Sequence, residues 1–369
     1  MTQTKQVKVL IVEDSAVVRE QIRHILESDP EIKVAGLAST GTEAVRLVQE
    51  IKPDCVTMDI NMPEMNGLDA TRMIMETYPV PIIIVSASYN RTDVEKSFNA
   101  MEAGAIAIAE KPFGVDHPDY ESTVKELIQT VKLMSEVKVV KRWPKGRYPA
   151  VPVSIPQLSD IRPERHGGRI KAVVIGSSTG GPPVLQTILA GLRNGFPVPI
   201  IVVQHIAKGF LEGMVDWLRQ TTHHPVHVAL DGEKIMPGHV YFAPDDFHAG
   251  FANQGRMALS RSEPENGIRP SVSYLFRSAL KAFGPDLAGV LLTGMGKDGA
   301  DELKQLRAHG ALTIVQDRES SVVYGMPGEA VMLDAAMYVL SPEKIAVALE
   351  GIFEMNKSGD VSEKPRPVI

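Results

Sequence analysis

The sequence predicts two α/β domains in series, each organised around a parallel β-sheet, the second doubly wound and mostly parallel. Three observations carry that expectation. The chain has 369 residues, more than one ordinary core supports. Over residues 7–133, short apolar runs alternate with longer amphipathic segments, the pattern of a parallel sheet covered on both faces. After an interval at 135–168 rich in Pro and basic residues, the alternation resumes from 169 to about 355.

In the first half, the strands are KVLIV, KVAGLA, CVTMD, PIIIVSA and AIAIAEK. Helical patterns such as AVVREQIRHILES, GTEAVRLVQEI and GLDATRMIMETY separate them, so residues 1–134 are expected to form one domain of βα units. Residues 135–168 have no sustained period and read as a partly extended linker. The basic residues there, including Lys138, Lys141, Arg142, Lys145 and Arg147, fit a solvated tether. A second domain is expected over 169–355, with strands IKAVVIGSS, PVPIIVVQH, HVYFAPDD, MALSRS, LAGVLLTG and ALTIVQD and hairpin-like elements near 239–261. Residues 356–369 are expected to be a disordered tail.

Composition narrows the function classes. The chain is 44% hydrophobic and 23% charged, with a formal net charge of −6, which argues against a general nucleic-acid binder. Cys55 is the sole cysteine, so no intrachain disulfide is expected, in keeping with a reducing compartment. Within DCVTMD it reads as a small buried apolar residue. The apolar run VLIV is stopped at once by Glu13 and Asp14, unlike a signal peptide. No run approaches the ~18 apolar residues of a membrane span. A cytoplasmic protein with no direct membrane insertion is expected.

Ligands of open α/β sheets gather at the carboxyl ends of the strands. In the first half those ends carry Glu13 and Asp14, then Asp59, Ser86 and Lys111. Three converging carboxylates repel one another and raise their pKa values. A hard divalent cation relieves this, with oxygen ligands from Glu13, Asp14, Asp59 and the backbone carbonyl at Asn61. With the Lys111 ammonium and the Ser86 hydroxyl, the set suits an incoming phosphoryl group, and Asp59 is placed as a nucleophile forming an acyl phosphate. The segments VEDS, MDINMPEMNGLDA, VSAS and EKPF resemble those of a response-regulator receiver domain. The resemblance implies a flavodoxin-like (βα)5 fold, Mg²⁺ as the cofactor of phosphorylation and a histidine kinase as phosphodonor. Ile108 stands where the family often has an aromatic residue.

A receiver explains control, not output. In the second half, three strand ends carry reactive groups: GSSTGG with Ser178, VVQH with His205, and LLTGMGKDG with Asp298. GSSTG fits the G-x-S-x-G pattern, in which a sharp turn exposes the central hydroxyl. The N-terminus of the next helix supplies free N–H groups suited to an oxyanion. His205 is then the base that Ser178 needs, and Asp298 the carboxylate that orients it. The order Ser…His…Asp differs from that of the α/β-hydrolases. A rival reading takes Gly294, Gly296 and Gly299 as a G-x-G-x-x-G dinucleotide fingerprint, with Asp317 poised for a ribose. Against it, Asp298 and Asp301 put negative charge where a pyrophosphate needs bare N–H groups. A non-catalytic binding module is the third reading, and on the residues alone all three stay open.

The segments IGSSTGGPP, VVQHI, YFAPDDFH, RPSVSYLFRSA, GVLLTGMGKDGA and VVYGMPGEAV, in that order behind a receiver, resemble the chemotaxis response-regulator protein-glutamate methylesterases. The resemblance covers nearly the whole chain. It implies Ser178 as nucleophile, His205 as general base then acid, and Asp298 as its orienting carboxylate, with Thr179 and the backbone at Met295 beside the reacting carbonyl. It implies methylated chemoreceptors as substrates, hydrolysed to glutamate and methanol, with deamidation of receptor glutamines by the same route and no cofactor in this domain. Departures from the family pattern fall at Ser177, Lys297, Ile268, Ser273 and Gly328. His223, His224 and His227 are expected to be a surface cluster, and His248 is a weaker alternative base. A receiver tethered to a hydrolase further leads us to expect an esterase that is blocked until phosphorylation of Asp59.

Overall fold

The computed structural model describes residues 6–86, 91–137, 139, 170–252 and 255–359. Most of the expected linker and the last residues of the expected tail lie outside them, as do the Ala87 and Ser88 of VSAS. The chain divides into two compact units, each taken by itself below. No helix among the described residues is long and apolar enough to cross a membrane.

The first unit alternates β1 (Val7–Val12), α1 (Ala16–Glu27), β2 (Ile32–Ala38), α2 (Gly41–Ile51), β3 (Cys55–Met58), α3 (Gly67–Thr77), β4 (Ile82–Ser86), α4 (Arg91–Ala103), β5 (Ala107–Glu110) and α5 (Tyr120–Ser135). The parallel sheet has the order β2-β1-β3-β4-β5. Its central strands are largely apolar because helices cover both faces; Val9–Val12 and Ile82–Val85 are all buried. The helices begin where short polar side chains satisfy free N–H groups: Ser15, Thr40 and Asn66 accept from Val18, Glu43 and Asp69. The order reverses between β1 and β3, so the acidic residues that follow those two strands share one crevice.

The second unit contains β6 (Ala172–Ser177), α6 (Gly181–Ala190), β7 (Ile200–Gln204), α7 (Leu211–Thr222), β8 (Val226–Val228), β9 (Val240–Phe242), β10 (His248–Ala252), β11 (Arg256–Ser260), α8 (Val272–Phe283), β12 (Leu287–Leu291), α9 (Ala300–Ala308), β13 (Leu312–Gln316), α10 (Met326–Met332), β14 (Tyr338–Leu340) and α11 (Pro342–Gly359). Helix α11 continues past the boundary expected at 355. Seven strands form one parallel sheet in the order β14-β13-β12-β6-β7-β9-β8, and β10 with β11 forms the expected hairpin as a separate antiparallel pair. The first strand, β6, lies at the centre. The chain winds outward from it through β7, returns to β12, and winds out the other way. The ends of β6, β7 and β12 therefore meet at the switch point.

Helix α8 decides the local geometry there. It is capped by Ser271, whose hydroxyl accepts from the Tyr274 N–H. It buries Val272, Leu275, Phe276 and Ala279, the i, i+3, i+4, i+7 stripe of an amphipathic helix. Phe276 belongs to the core cluster with Leu291, Leu303 and Met326. Truncating it to Ala is expected to cost about 3–5 kcal/mol, read as a shift of the second unit's urea transition. A cost below about 1 kcal/mol would show that α8 does not depend on this seat.

Candidate active site and acidic pocket

In the first unit, the predicted residues converge. The carboxylate oxygens of Glu13, Asp14 and Asp59 lie within 4.8 Å of one another. Lys111 Nζ stands 2.9 Å from Glu13 Oε2 and 3.0 Å from Asp59 Oδ1. Asp59 is 5% exposed, and its Oδ1 also accepts the Ile60 N–H. Arg19 donates to the backbone oxygens of Glu13 and Asp14, which pins the turn after β1. The Asn61 side chain accepts from Lys96. Ser86 ends β4 and is buried; its carbonyl accepts the Lys111 N–H across the sheet. Ile108 is half-buried on β5.

The electrostatics of this pocket are strained. Burial pushes the Glu13 carboxyl up and Asp59 pushes it further, and Lys111 offsets only part. Burial likewise raises Asp59 against the pull of Lys111. The Lys111 ammonium is disfavoured by burial, yet Asp59 and Glu13 hold its pKa above the ordinary value. Oε2 of Glu13, close to Lys111 but poorly aligned with it, has no well-formed hydrogen bond. A buried acidic cluster with one cation and spare oxygen lone pairs fits a hard divalent ion.

In the second unit, Ser178 follows β6, His205 follows β7, and Asp298 lies in the loop between β12 and α9. Strands β6 and β7 pair up to Ser177 opposite Gln204, so Ser178 and His205 are the next residues on neighbouring strands. The Ser178 N–H donates to Thr293 O on the opposite flank, at 3.0 Å. The Ser178 carbonyl accepts from Gly181 N–H and from Gln204 Nε2. Gly294 is required by close approach: a Cβ there would lie 2.4 Å from Met326 Sδ and 2.6 Å from Ser178 Cβ.

Asp298 is 5% exposed and sits at the N-terminus of α8. Oδ1 accepts from Ser271 Oγ and Ser273 N–H at 3.0 Å each, and Oδ2 accepts from Val272 N–H at 2.7 Å. His205 Nε2 lies 3.1 Å from Oδ2; the contact is short, but the ring N–H is not aligned along it. Burial alone would push this carboxyl up, but the His205 contact and the N–H donors outweigh it and bring the pKa to about 2. The charge also faces the positive end of the helix. With Nε2 on the carboxylate, Nδ1 is the ring nitrogen left for a hydroxyl. The Thr179 and Met295 N–H groups have no hydrogen-bond partner among the described residues, and Met295 is 46% exposed.

Several other residues were read differently from the sequence. His248 is fully buried and stacks on Tyr274; Nδ1 accepts the Ser271 N–H and Nε2 faces Glu263 O. Both ring nitrogens are occupied, so it props up the Asp298 cradle and is no base. The three clustered histidines do not form a surface group. His223 is exposed, in a left-handed backbone conformation (φ 59°); His224, next to it, is buried with Nε2 against Leu189 O, and His227 pairs with His239 at 2.9 Å. Asp317 accepts from the backbone and hydroxyl of Ser320, so its carboxylate is turned into its own loop and away from a ribose. Ser273, one of the departures, donates to Glu302 and accepts the Gly299 N–H, fastening the Asp298 loop to α8.

Sequence reasoning did not single out Gln204 or Thr293, nor assign a role to Ser271. A cap signal was present in Ser271 before an amphipathic run, and a polar residue closing the apolar run IIVVQ was a signal for Gln204.

Comparison with known proteins gives this geometry a family. Residues 173–349 match the model of the CheB methylesterase family, and residues 9–119 that of the response regulator receiver domain. A protein-glutamate methylesterase/protein-glutamine glutaminase of Geobacter metallireducens is 54% identical over 94% of this chain and 99% of its own length. One from Syntrophus aciditrophicus is 52% identical over 93% of this chain and 97% of its own. The Thermotoga maritima CheB methylesterase catalytic domain, known from a crystal structure, is 40% identical, covering 49% of this chain and 98% of that one with a TM-score of 0.48. This chain belongs to the protein-glutamate methylesterase/protein-glutamine glutaminase family.

Proposed function

We propose that this chain hydrolyses glutamate methyl esters on chemoreceptors, that Ser178, His205 and Asp298 carry the reaction, and that phosphorylation of Asp59 switches it on. The observation that carries the reading is the ionised Asp298 carboxylate 3.1 Å from the His205 imidazole, at the strand ends that flank Ser178.

Ser178 Oγ attacks the ester carbonyl while His205 Nδ1 takes its proton. The imidazolium gains its charge beside Asp298, whose Oδ2 then accepts a charge-assisted hydrogen bond from Nε2–H; alignment of this kind tightens in the reacting complex. The Thr179 and Met295 N–H groups receive the oxyanion. Collapse expels methanol, which takes the proton from Nδ1 and leaves an acyl-serine. Water, deprotonated by the same nitrogen, hydrolyses it to glutamate and free serine. A glutamine side chain follows the same route with ammonia as the leaving group, so deamidation needs no further residue.

In the acidic pocket, Glu13, Asp14, Asp59 and the Asn61 backbone carbonyl are the oxygens that would hold Mg²⁺, which when bound supplies neutralising charge for phosphoryl transfer. Asp59 is the acceptor; Lys111 and Ser86 bind the phosphoryl oxygens. A histidine kinase is the proposed donor, methylated chemoreceptors are the proposed substrates, and the cytoplasm is the proposed compartment. The domain limits of this reading are 1–134 for the receiver, 135–168 for the linker and 169–355 for the esterase.

Three measurements test it. Ser178→Ala should lower methanol release from methylated receptor by at least about a thousandfold, and Ser177→Ala should retain most of it; the reverse ranking would move the nucleophile. The Asp298 carboxyl titrates at about 2 against an ordinary 3.8, so its stabilisation is complete above the ordinary value and is lost as pH falls through the lowered one. The stability deficit of Asp298→Asn, measured by urea unfolding, should therefore be on the order of 2 kcal/mol above about pH 4 and shrink towards pH 2. A deficit that grows on acidification would contradict the assignment. Finally, a small acyl phosphate with Mg²⁺ should raise methanol release, Asp59→Asn should remove that rise, and deletion of residues 1–150 should raise the unstimulated rate. A truncated chain slower than the full one would count against gating by the receiver.

A further inference from the structure

Gln204 is the last residue of β7, buried to 4% exposure in a strand that is otherwise wholly apolar. A carboxamide at such a position is costly unless its polar atoms find partners. Nε2 donates to two backbone oxygens, Ser178 O and His205 O, each at 2.8 Å. These are the carbonyls of the nucleophile and of the base. The reverse orientation of the amide would set Oε1 against both carbonyl oxygens, so the network fixes it.

The placement coincides with the end of the ladder. Strands β6 and β7 pair to Ser177 opposite Gln204, and the last backbone bond between them is His205 N–H to Ser177 O. Ser178 N–H has already turned to Thr293 O on the other side. The Gln204 side chain thus continues the connection between the strands by one residue, where the ladder has stopped and the two reactive residues begin. Its planar amide holds two fixed N–H directions, so it sets the separation of the two backbones.

The far side of the amide is enclosed. A Cβ on Gly181 would lie 2.3 Å from Gln204 Oε1 and 2.0 Å from Ser177 Oγ, so these two atoms are near neighbours beneath the first turn of α6. Both are buried without a hydrogen-bond partner, each other included, so the far side of the amide is confined by packing and the two bonds of Nε2 alone orient it. Glycine at 181 leaves the space for both.

We infer that Gln204 is a positioning residue of the esterase, fixing the Ser178 backbone relative to the His205 backbone through one side-chain amide. The inference rests on the triad reading above. Misplacement by an ångström costs about a hundredfold in a reaction that depends on near-attack geometry, which sets the expected size of the effect.

Two variants of the full-length chain test this, Gln204→Leu and Gln204→Glu, assayed by methanol release from methylated receptor at a temperature where circular dichroism shows each folded. Gln204→Leu should lower kcat roughly 10- to 100-fold with KM changed by less than about threefold. In a Ser178→Ala background it should cause no further loss. Gln204→Glu removes both donors when ionised and restores one when protonated, and burial favours the protonated form. Its rate relative to the native chain should therefore rise from about pH 8 to about pH 6. That ratio reads the hydrogen bond itself and stands even where the leucine variant does not fold. A folded Gln204→Leu with native kcat, or a flat Gln204→Glu ratio, would overturn the inference. A fully active Ser178→Ala would instead bring down the triad reading on which it rests.

Discussion

The carboxylate of Asp298, held by three donors at the start of α8, is the constraint from which the rest of the second unit follows. A buried charge is expensive unless its lone pairs are satisfied. Here the Ser271 hydroxyl and the Val272 and Ser273 N–H groups satisfy them, and His205 adds the opposite charge when protonated. The arrangement requires a helix whose N-terminus points into the crevice. That helix in turn requires the Phe276 and Leu275 stripe to seat it, Ser271 to cap it, and His248 to hold the Ser271 backbone. The long excursion from β9 to β12, which contributes no strand to the main sheet, exists to deliver this helix end.

Topology does the complementary work. Because β6 is central and the winding reverses beside it, its C-terminal end is flanked by β7 on one side and β12 on the other. Any three strand-end residues on β6, β7 and β12 are therefore neighbours without special pleading. The side-chain details then tighten a proximity that the sheet already provides: Thr293 on one flank, Gln204 on the other, and Gly294 small enough for Ser178 to sit against it.

This division explains what the sequence disclosed. The strands that carry the site are apolar runs of five or six residues buried on both faces, and such runs are legible because nothing else in a soluble chain produces them. Strands β8 and β14 are three residues each and partly exposed, too short to show a period, and they were missed. Ser178 and His205 were legible as polar residues directly after apolar strands, and Asp298 as an acidic residue of the loop that follows β12. The cradle of Asp298 was not, since Ser271 is far from it in sequence and meets it only through the packing of α8. His224 was misread for the same reason: a histidine after a helix looks exposed until tertiary packing places it against Leu189 O. The glycines of GMGKDG match a phosphate-binding pattern by coincidence of spacing, one of them being required by Ser178.

The two units place aspartates in equivalent positions, after a strand at a switch point, and drive their pKa values in opposite directions. Burial raises the Asp59 carboxyl, Lys111 and the Ile60 N–H offset only part of that rise, and Asp14 adds a little to it. Asp298 meets burial of similar depth but three neutral donors, a helix terminus and an imidazole, and its carboxyl falls to about 2. Burial is therefore not what separates them: the donors around Asp298 outweigh it, and the Lys111 and Ile60 contacts of Asp59 do not. A carboxylate surrounded by donors keeps its charge and serves as a fixed electrostatic partner. One whose donors fall short of the cost of its burial is a group whose charge its surroundings oppose, and a cation or a covalent bond to an electrophile relieves that opposition. The same side chain thus keeps its charge in one sheet and is pressed to give it up in the other, and the difference is read from the atoms within hydrogen-bonding distance of it.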